Sequence, residues 1–243
     1  MAVEGRWESE VQSSICPTGR QTRIELSEAA LVQESEEAVI TRAAGILTAG
    51  GLVAFPTDTF YALGADALNP AAVRRVFESK GRAEGRPVPV LVAGPGDALK
   101  VARSFPDSAR RLAERFWPGA LTLVLPKRPE VPGEITAGGD GVGVRVPDHA
   151  LAQRLIRAFG GPVTGTSANI SGGQPHKHAA GIERELGGTI DLIVPGECGT
   201  HGAPSTVVDF TKSPPVVVRE GAIRFDDIAA LAPGVTRTRG AGR

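Results

Sequence analysis

The chain has 243 residues and no formal net charge at pH 7, and 41% of its residues are hydrophobic while 22% are charged. This composition is typical of a globular protein, and the length suffices for one sizeable domain or two small ones. Zero net charge and only 5% aromatic residues argue against a general nucleic-acid or membrane surface, so any anion site must be local.

The two cysteines, Cys16 and Cys198, stand far apart, without a CxxC pair or histidines at metal-ligand spacing. This pattern argues against a disulfide framework or a zinc site and predicts a reducing, cytoplasmic location. Residues 1–10 are polar and include three glutamates, so we expect neither a secretory leader nor a membrane segment.

Helix and strand signals alternate along the chain. Residues 1–34 are polar and acidic, which predicts an N-terminal extension with at most one short strand at 22–26. The elements predicted after it are a helix capped by Ser35 and ended by Gly50, a strand at 52–55, a helix from Asn69 to Lys80, an edge strand at 88–92, a helix capped by Asp107, strands at 121–125 and 142–146, a helix capped by Asp148, strands at 162–164, 190–194, 206–210 and 216–218, and a helix at 226–231.

This alternation predicts one α/β domain over residues 35–231, with an open, mostly parallel or mixed sheet flanked by helices. Residues 232–243 are rich in Gly, Arg and Thr, which predicts a disordered basic tail.

A polar cluster, PTDTFYALG at 56–64, follows the apolar strand at 52–55. Polar groups at the end of a strand in an open α/β sheet are where such folds hold ligands. The hydroxyls of Thr57 and Thr59 are suited to a small polar ligand. The alternative is a turn in which Asp58 and the threonines satisfy only local backbone groups.

A second cluster, Lys80-Gly81-Arg82, lies at the end of a predicted helix. An ammonium next to a planar guanidinium fork suits a polyphosphate, and Arg86 extends the positive patch. The alternative is a solvated helix C-terminus, where the helix dipole favours cations in any case.

Arg145 interrupts the apolar run VGVRV at 142–146. A buried arginine is costly unless an anion pairs with it. The sequence leaves two kinds of partner open, an internal carboxylate from Asp140 or Asp148, or the carboxylate of a ligand.

Further polar residues end other strands. Ser167 and Asn169 follow the short strand at 162–164, and Ser205 and Arg219 flank the last two strands. Hydroxyl and amide groups there suit phosphate, ribose or a base edge, while helix capping by Ser167 or Asn169 is the alternative. The chain has no GxxxxGK[ST], no HExxH and no GxSxG motif, so covalent serine catalysis has little support.

Together these clusters resemble the YrdC-like family of threonylcarbamoyl-AMP synthases. The matching blocks are PTDTFYALG (56–64), KGR (80–82), WPGALTLVL (117–125), VGVRVPDH (142–149), TSANISG (166–172), STVVD (205–209) and VVREG (217–221). Each block alone is a weak signal, whereas seven of them in this order are specific.

The resemblance implies a twisted α/β sheet with a large concave pocket in which L-threonine, bicarbonate and ATP give threonylcarbamoyl-adenylate and pyrophosphate. The product then passes to the machinery that transfers the threonylcarbamoyl group to tRNA. The implied roles are ATP binding by Lys80, Arg82, Ser167, Asn169 and Arg219, and threonine binding by Thr57, Arg145 and Ser205. The resemblance further implies Mg²⁺ bound with ATP, no prosthetic group and no covalent nucleophile.

The sequence departs from the family pattern at three points. Ala62 stands where the family usually has glycine, and the strand at 88–92 lacks a histidine that some relatives place near threonine. We also expect no long C-terminal domain like that of some relatives, so that a loop would have to supply any lid.

Two other functions stay open from the sequence. One is a double-stranded RNA or tRNA-binding module, which the basic residues around Lys80 and Arg82 keep in consideration, including weak RNA binding. The other is a paralogue of the same fold that handles a different carbamoyl-adenylate.

Overall fold

The computed structural model describes residues 35–82, 85–199 and 203–238. The predicted N-terminal extension, its strand at 22–26 and Cys16 lie outside the described residues, as does the end of the tail from residue 239. In the part that is described, no helix is long and apolar enough to cross a membrane.

The helices begin and end close to the positions that capping residues predict. They are α1 (Glu36–Thr48), α2 (Pro70–Ser79), a 3₁₀ helix (Pro95–Lys100), α3 (Asp107–Phe116), α4 (Gly133–Thr136), α5 (Ala150–Phe159), α6 (Ala179–Leu186) and α7 (Phe225–Leu231). Ser35 caps α1 by accepting a hydrogen bond from the Ala38 amide, and Asn69 caps α2 ahead of Pro70, as predicted.

The strands form two mixed sheets. They are β1 (Val53–Phe55), β2 (Ala62–Gly64), β3 (Val90–Leu91), β4 (Leu121–Pro126), β5 (Gly141–Arg145), β6 (Val163–Thr164), β7 (Thr166–Ser167), β8 (Leu192–Ile193), β9 (Thr206–Asp209), β10 (Val216–Arg219) and β11 (Thr236–Arg237). One sheet has the order β7-β2-β1-β8 and the other the order β11-β10-β9-β4-β5-β3-β6.

The predicted α/β class, with a mixed sheet flanked by helices, is confirmed. Four strand pairs are parallel (β1–β8, β3–β5, β4–β9 and β10–β11) and five are antiparallel, so neither orientation dominates among the described strands. The division into two sheets was not predicted, because short strands carry no signal for which neighbour they pair with.

Four local predictions need correction. β3 is an interior strand between β5 and β6 rather than an edge strand, since Pro89 precedes the two residues that pair. Asp107 is the first residue of α3 and makes no capping bond, and His149 rather than Asp148 caps α5 through the Ala152 amide. The predicted tail begins within the fold, because Ala232 and Val235 are buried and β11 pairs with β10.

Helices cover the apolar faces of both sheets. Leu112 of α3 and Ile228 of α7 pack in one cluster with the leucines of β4, while Leu47 of α1 and Leu155 of α5 pack with β1. These four helix side chains and the leucines of β4 are fully buried. This packing leaves the ends of β1, β5 and β10 free to carry polar side chains.

Thr164 on β6 joins the two sheets. Its hydroxyl donates to the Leu63 carbonyl and accepts from the Ala65 amide, both at 2.9 Å, and its own amide donates to the Ala65 carbonyl. The side chain is fully buried, so a buried amide and a buried carbonyl depend on one hydroxyl.

We therefore expect Thr164→Val to lower the free energy of unfolding by about 2–3 kcal/mol, because it leaves two buried backbone groups unsatisfied. Urea denaturation measures this change. Thr189→Val is the matched control, since the exposed Thr189 hydroxyl donates only to the Leu186 carbonyl and its loss should cost less than about 0.5 kcal/mol. Equal losses in the two variants would contradict the assigned role of Thr164.

Candidate functional site

Strand ends from both sheets meet at a cavity of about 300 Å³. Its lining comes from segment 57–62 after β1, from segment 165–167 around β7, from strands β3, β4, β5 and β10, and from residues 204–205 just before β9. Six of the eight predicted site residues line this cavity: Thr57, Arg82, Arg145, Ser167, Ser205 and Arg219. The structure thus brings together clusters that are up to 162 residues apart in sequence (Thr57 to Arg219).

Arg145, at the end of β5, forms a buried ion pair with Asp58. One terminal nitrogen of its guanidinium contacts both carboxylate oxygens, at 2.6 and 2.7 Å. The side chains of Arg145 and Asp58 are only 10% and 4% exposed. A charge pair removed from water in this way is stable only when most of its hydrogen-bonding capacity is satisfied.

The remaining contacts meet that condition. Arg145 Nε donates to the Gly119 carbonyl at 2.9 Å, and the Asp148 amide donates to Asp58 Oδ1 at 3.2 Å. The second terminal nitrogen lies 3.3 Å from the Thr59 hydroxyl. Arg145 also lines the cavity, so part of its guanidinium stays available to a ligand.

This pairing corrects the expected internal partner of Arg145. The sequence offers the carboxylates of Asp140 and Asp148, which are close to Arg145 along the chain. The carboxylate that pairs with it is Asp58, 87 residues away, and Asp148 contributes only its backbone amide. Asp58 therefore does more than complete a local turn, because it is the counter-ion of a strand arginine.

The two threonines of the PTDTF segment place a pair of hydroxyls beside this ion pair. Thr57 Oγ1 donates to the Phe60 carbonyl at 2.6 Å and lies 3.2 Å from Thr59 Oγ1. Both side chains are buried and both line the cavity. The sequence analysis indicated the Thr59 hydroxyl as suited to a ligand but did not assign Thr59 to the threonine or ATP site. Its place in the cavity lining adds it to the site residues.

Arg219, Ser205 and Thr122 form a second hydrogen-bonded group. The Arg219 guanidinium donates to the Ser205 carbonyl at 2.9 and 3.1 Å and to the Ser205 hydroxyl at 3.1 Å. Ser205 Oγ lies 2.9 Å from Thr122 Oγ1. Burial, together with the nearby charge of Arg145, lowers the pKa of Arg219. Both arginines line the cavity.

Thr122 was missed by the sequence prediction. It is the polar residue of the strand LTLVLP, where Leu121, Leu123 and Leu125 occupy the core face. A hydroxyl on the opposite face of an apolar strand is the signal that would have revealed it.

Arg82 approaches the cavity from the end of α2. It donates to the Thr166 hydroxyl at 3.3 Å and to the Pro87 carbonyl at 3.0 Å, and its Nε is buried without a hydrogen-bond partner. Burial and the neighbouring Arg86 lower the pKa of Arg82. Within the described residues no carboxylate lies within salt-bridge distance of Arg82 or Arg219.

Lys80 and Asn169 lie behind the cavity wall rather than in its lining. The Lys80 ammonium donates to the backbone carbonyls of Ser167 and Asn169. The Asn169 side chain accepts from the Ser167 hydroxyl at 2.5 Å and donates to the Ile170 and Gly173 carbonyls. Both residues therefore fix the shape of segment 167–173, and their contact with phosphate remains a prediction.

The described part of the cavity is electropositive. Three guanidinium groups, those of Arg82, Arg145 and Arg219, line it, and the Asp58 carboxylate neutralises one of them. Hydroxyls of threonine and serine fill the spaces between them. Such a surface of hydrogen-bond donors is suited to an anionic ligand with several acceptor oxygens.

Comparison with known proteins gives a consistent set of relatives. The family model Sua5_yciO_yrdC, described as "Telomere recombination", matches residues 45–221. Over 193 residues the chain is 44% identical to the threonylcarbamoyl-AMP synthase of Pyrococcus abyssi and 40% identical to that of Bacillus subtilis. Each match covers 79% of this chain but only 57% and 56% of those relatives, so the chain spans little more than half of their length.

A solved structure is similar over the same region. The crystal structure of P. abyssi Sua5 complexed with L-threonine superimposes with a TM-score of 0.80 at 41% identity. The match covers 84% of this chain and 60% of that one.

Removing the counter-ion of Arg145 should destabilise the protein. We expect Asp58→Asn to lower the free energy of unfolding by about 3–5 kcal/mol, because it leaves a buried guanidinium unpaired. Urea denaturation checks this. Glu134→Gln breaks the more exposed ion pair with Arg74 and should cost less than about 1 kcal/mol. Comparable losses in both variants would contradict the importance of the buried pair.

We expect the pKa of Lys80 to lie well below that of an ordinary lysine. Burial, together with the charge of Arg82, lowers the pKa of Lys80 to about 8, although Glu185 acts in the opposite direction. In the unfolded chain the pKa of Lys80 is higher, at the ordinary value of 10.5. Below pH 8 the lysine is charged in both states, and burial of this charge lowers the free energy of unfolding. This loss disappears as the pH rises from about 8 towards 10.5, because the folded protein then holds Lys80 neutral.

Nuclear magnetic resonance of ¹³C-labelled lysine side chains checks this value. The resonance absent from the Lys80→Met variant identifies Lys80, and its shift should have a midpoint near pH 8. A midpoint at the ordinary lysine value would show that the ammonium is well solvated in solution.

Proposed function

The chain belongs to the Sua5_yciO_yrdC family, and we propose that it is a threonylcarbamoyl-AMP synthase. The reaction consumes L-threonine, bicarbonate and ATP and releases threonylcarbamoyl-AMP and pyrophosphate. The observation that carries this proposal is the cavity lined by Arg82, Arg145 and Arg219, of which only Arg145 has a carboxylate partner, Asp58, among the described residues. All three substrates carry oxygen acceptors that such a cavity would bind.

The proposed chemistry needs positioning and charge neutralisation rather than a protein nucleophile. The amine of threonine adds to bicarbonate with loss of water and gives a carbamate. A carbamate oxygen then attacks the α-phosphorus of ATP, and the bond to pyrophosphate breaks. Negative charge accumulates around phosphorus during this step, and nearby guanidinium groups stabilise it.

We assign the threonine side of the cavity to Thr57, Arg145 and Ser205. The Asp58 carboxylate and the Gly119 carbonyl hold two nitrogens of Arg145. The remaining nitrogen, near Thr59, would pair with the carboxylate of threonine. The P. abyssi Sua5 structure complexed with L-threonine supports a threonine site in this fold.

We assign the nucleotide side to Arg82, Ser167 and Arg219, which line the cavity. Lys80 and Asn169 would act on ATP from behind this wall. Lys80 adds positive charge while its ammonium holds the 167 and 169 carbonyls away from the cavity. Direct contact between Lys80 and the ATP phosphates stays a prediction.

Mg²⁺ would enter as part of the ATP substrate. No group of three or more His, Cys, Asp or Glu side chains within residues 35–82, 85–199 and 203–238 is placed to hold a metal ion. The ion would accordingly be bound by phosphate oxygens and water, which Mg²⁺ tolerates well because it gives up its water ligands reluctantly.

The product is a mixed anhydride that must be passed on to a transferase, in keeping with the expected tRNA-modification machinery as a downstream partner. A cytoplasmic location suits this use of ATP and tRNA. The RNA-binding alternative is not favoured, because the arginines converge on a small cavity instead of spreading over an open face.

Pyrophosphate release tests the proposal. We expect release from ATP and bicarbonate to rise at least about tenfold when L-threonine is added, since the carbamate is the nucleophile. Release without threonine, or release that depends on carbamoyl phosphate instead, would overturn the synthase assignment and favour a paralogous activity.

Two conservative variants separate the substrate sides. Arg145→Lys keeps a cation beside Asp58 but loses bidentate geometry, so the KM for threonine should rise roughly 10- to 100-fold while the KM for ATP changes little. Arg82→Lys should show the reverse pattern. Steady-state kinetics of both variants measure this, with Arg74→Lys, in an exposed ion pair outside the cavity, as the control. The same KM changes in Arg145→Lys and Arg82→Lys would contradict the division of the cavity.

A further inference from the structure

The Thr122–Ser205 hydroxyl pair has a hydrogen-bonding capacity that the protein does not use up. Thr122 lies in β4 and Ser205 directly precedes β9, which pairs with β4 in parallel. The two side chains are 3% and 6% exposed, and both line the cavity. They are therefore polar groups that are almost removed from water and face a ligand space.

The direction of the hydrogen bonds in this group is constrained. Arg219 can only donate, so Ser205 Oγ must be the acceptor of the guanidinium N–H. The two hydroxyls carry two hydrogens, and the contact between them uses one. In the part of the chain that the structure describes, the Thr122 hydroxyl has no other hydrogen-bond partner. One O–H of the pair therefore has no acceptor among the described residues and is available to a ligand.

The groups around this O–H are also donors. The guanidinium of Arg219 contacts Ser205. The antiparallel register of β4 and β5, which pairs Leu123 with Val144, places Arg145 opposite Thr122, and both residues line the cavity. An O–H flanked by two guanidinium groups matches a ligand that is a pure acceptor, such as a carbonate, carboxylate or phosphate oxygen.

We propose that Thr122, together with Ser205 and Arg219, forms a subsite for a small trigonal oxyanion, and that Thr122 is a positioning residue for it. In the proposed function, on which this identification rests, the anion is bicarbonate and then the carbamate made from it. The subsite lies between Arg145, assigned to threonine, and Arg219, assigned to the nucleotide. The carbon atom of the anion is thus held between the amine that attacks it and the phosphorus that its oxygen attacks.

Kinetics of Thr122→Val test the proposal. Valine keeps the shape of the side chain but removes the hydroxyl, so the KM for bicarbonate should rise roughly tenfold, the loss expected for one buried hydrogen bond. The KM for ATP should stay within about twofold. Thr122→Ser should restore the bicarbonate KM, because it restores the hydroxyl. Thr136→Val, which removes the hydroxyl of a buried threonine outside the cavity, is the matched control.

A direct binding measurement separates this proposal from the proposed function. Broadening of the ¹³C-bicarbonate resonance by the full chain should be seen with the wild-type protein and with Thr122→Ser, and should be lost in Thr122→Val. If the wild-type protein releases no pyrophosphate but broadens the resonance in this pattern, the synthase assignment fails and the subsite stands. Equal broadening and equal bicarbonate KM values in wild type and Thr122→Val would overturn the subsite.

Discussion

The ion pair between Asp58 and Arg145 fixes the geometry of the cavity. Asp58 belongs to the segment after β1 in the smaller sheet, and Arg145 ends β5 in the larger one, so the pair ties the two sheets together across the site. Its two charges are buried, and separating them in a low dielectric is costly. The guanidinium is held at Nε and at one terminal nitrogen, which leaves a single orientation for the nitrogen that faces the cavity.

The remaining charges of the cavity are left uncompensated by the described protein. Arg82 and Arg219 contact carbonyls and hydroxyls, and burial lowers the pKa of both. A protein selected for stability alone would pair these groups or replace them. Guanidinium groups that line a cavity without a charged protein partner are suited to a binding site, because an anionic ligand supplies the missing charge without reorganisation of the protein.

Much of the fold follows from local signals in the sequence. Ser35 and Asn69 mark helix starts, and the apolar runs at 52–55 and 121–125 become strands because each is short and bounded by turn residues. Strand neighbours and the interior position of β3 could not be predicted, because they depend on contacts distant in sequence. The ion-pair partner of Arg145, Asp58, could not be predicted for the same reason.

The site shows a similar division between chemistry and placement. Polar motifs, mostly at strand ends, identified six of the residues that line the cavity, because open α/β sheets hold their ligands at strand ends. The orientation of Lys80 could not be predicted, since its ammonium can reach either phosphate or backbone carbonyls.

The contacts of Lys80 have a consequence for the cavity wall that faces the proposed nucleotide. The ammonium holds two carbonyls of segment 167–169, the Ser171 amide donates to the Lys80 carbonyl, and Glu185 accepts from the Ile170 amide. His176 in turn hydrogen-bonds Glu185 and lowers its pKa.

Segment 167–171 is therefore fixed by partners from α2 and α6. Its carbonyl oxygens, which would repel phosphate, point at a cation behind the wall, and its hydroxyl side remains towards the cavity. Such a wall favours an anion for two reasons: it presents hydroxyls to the cavity, and its carbonyl oxygens are bound to the Lys80 ammonium. The same reasoning gives the buried Lys80 a role although it does not itself line the cavity. Its ammonium orients the backbone dipoles of Ser167 and Asn169 before a ligand binds, so reorienting them adds nothing to the cost of binding.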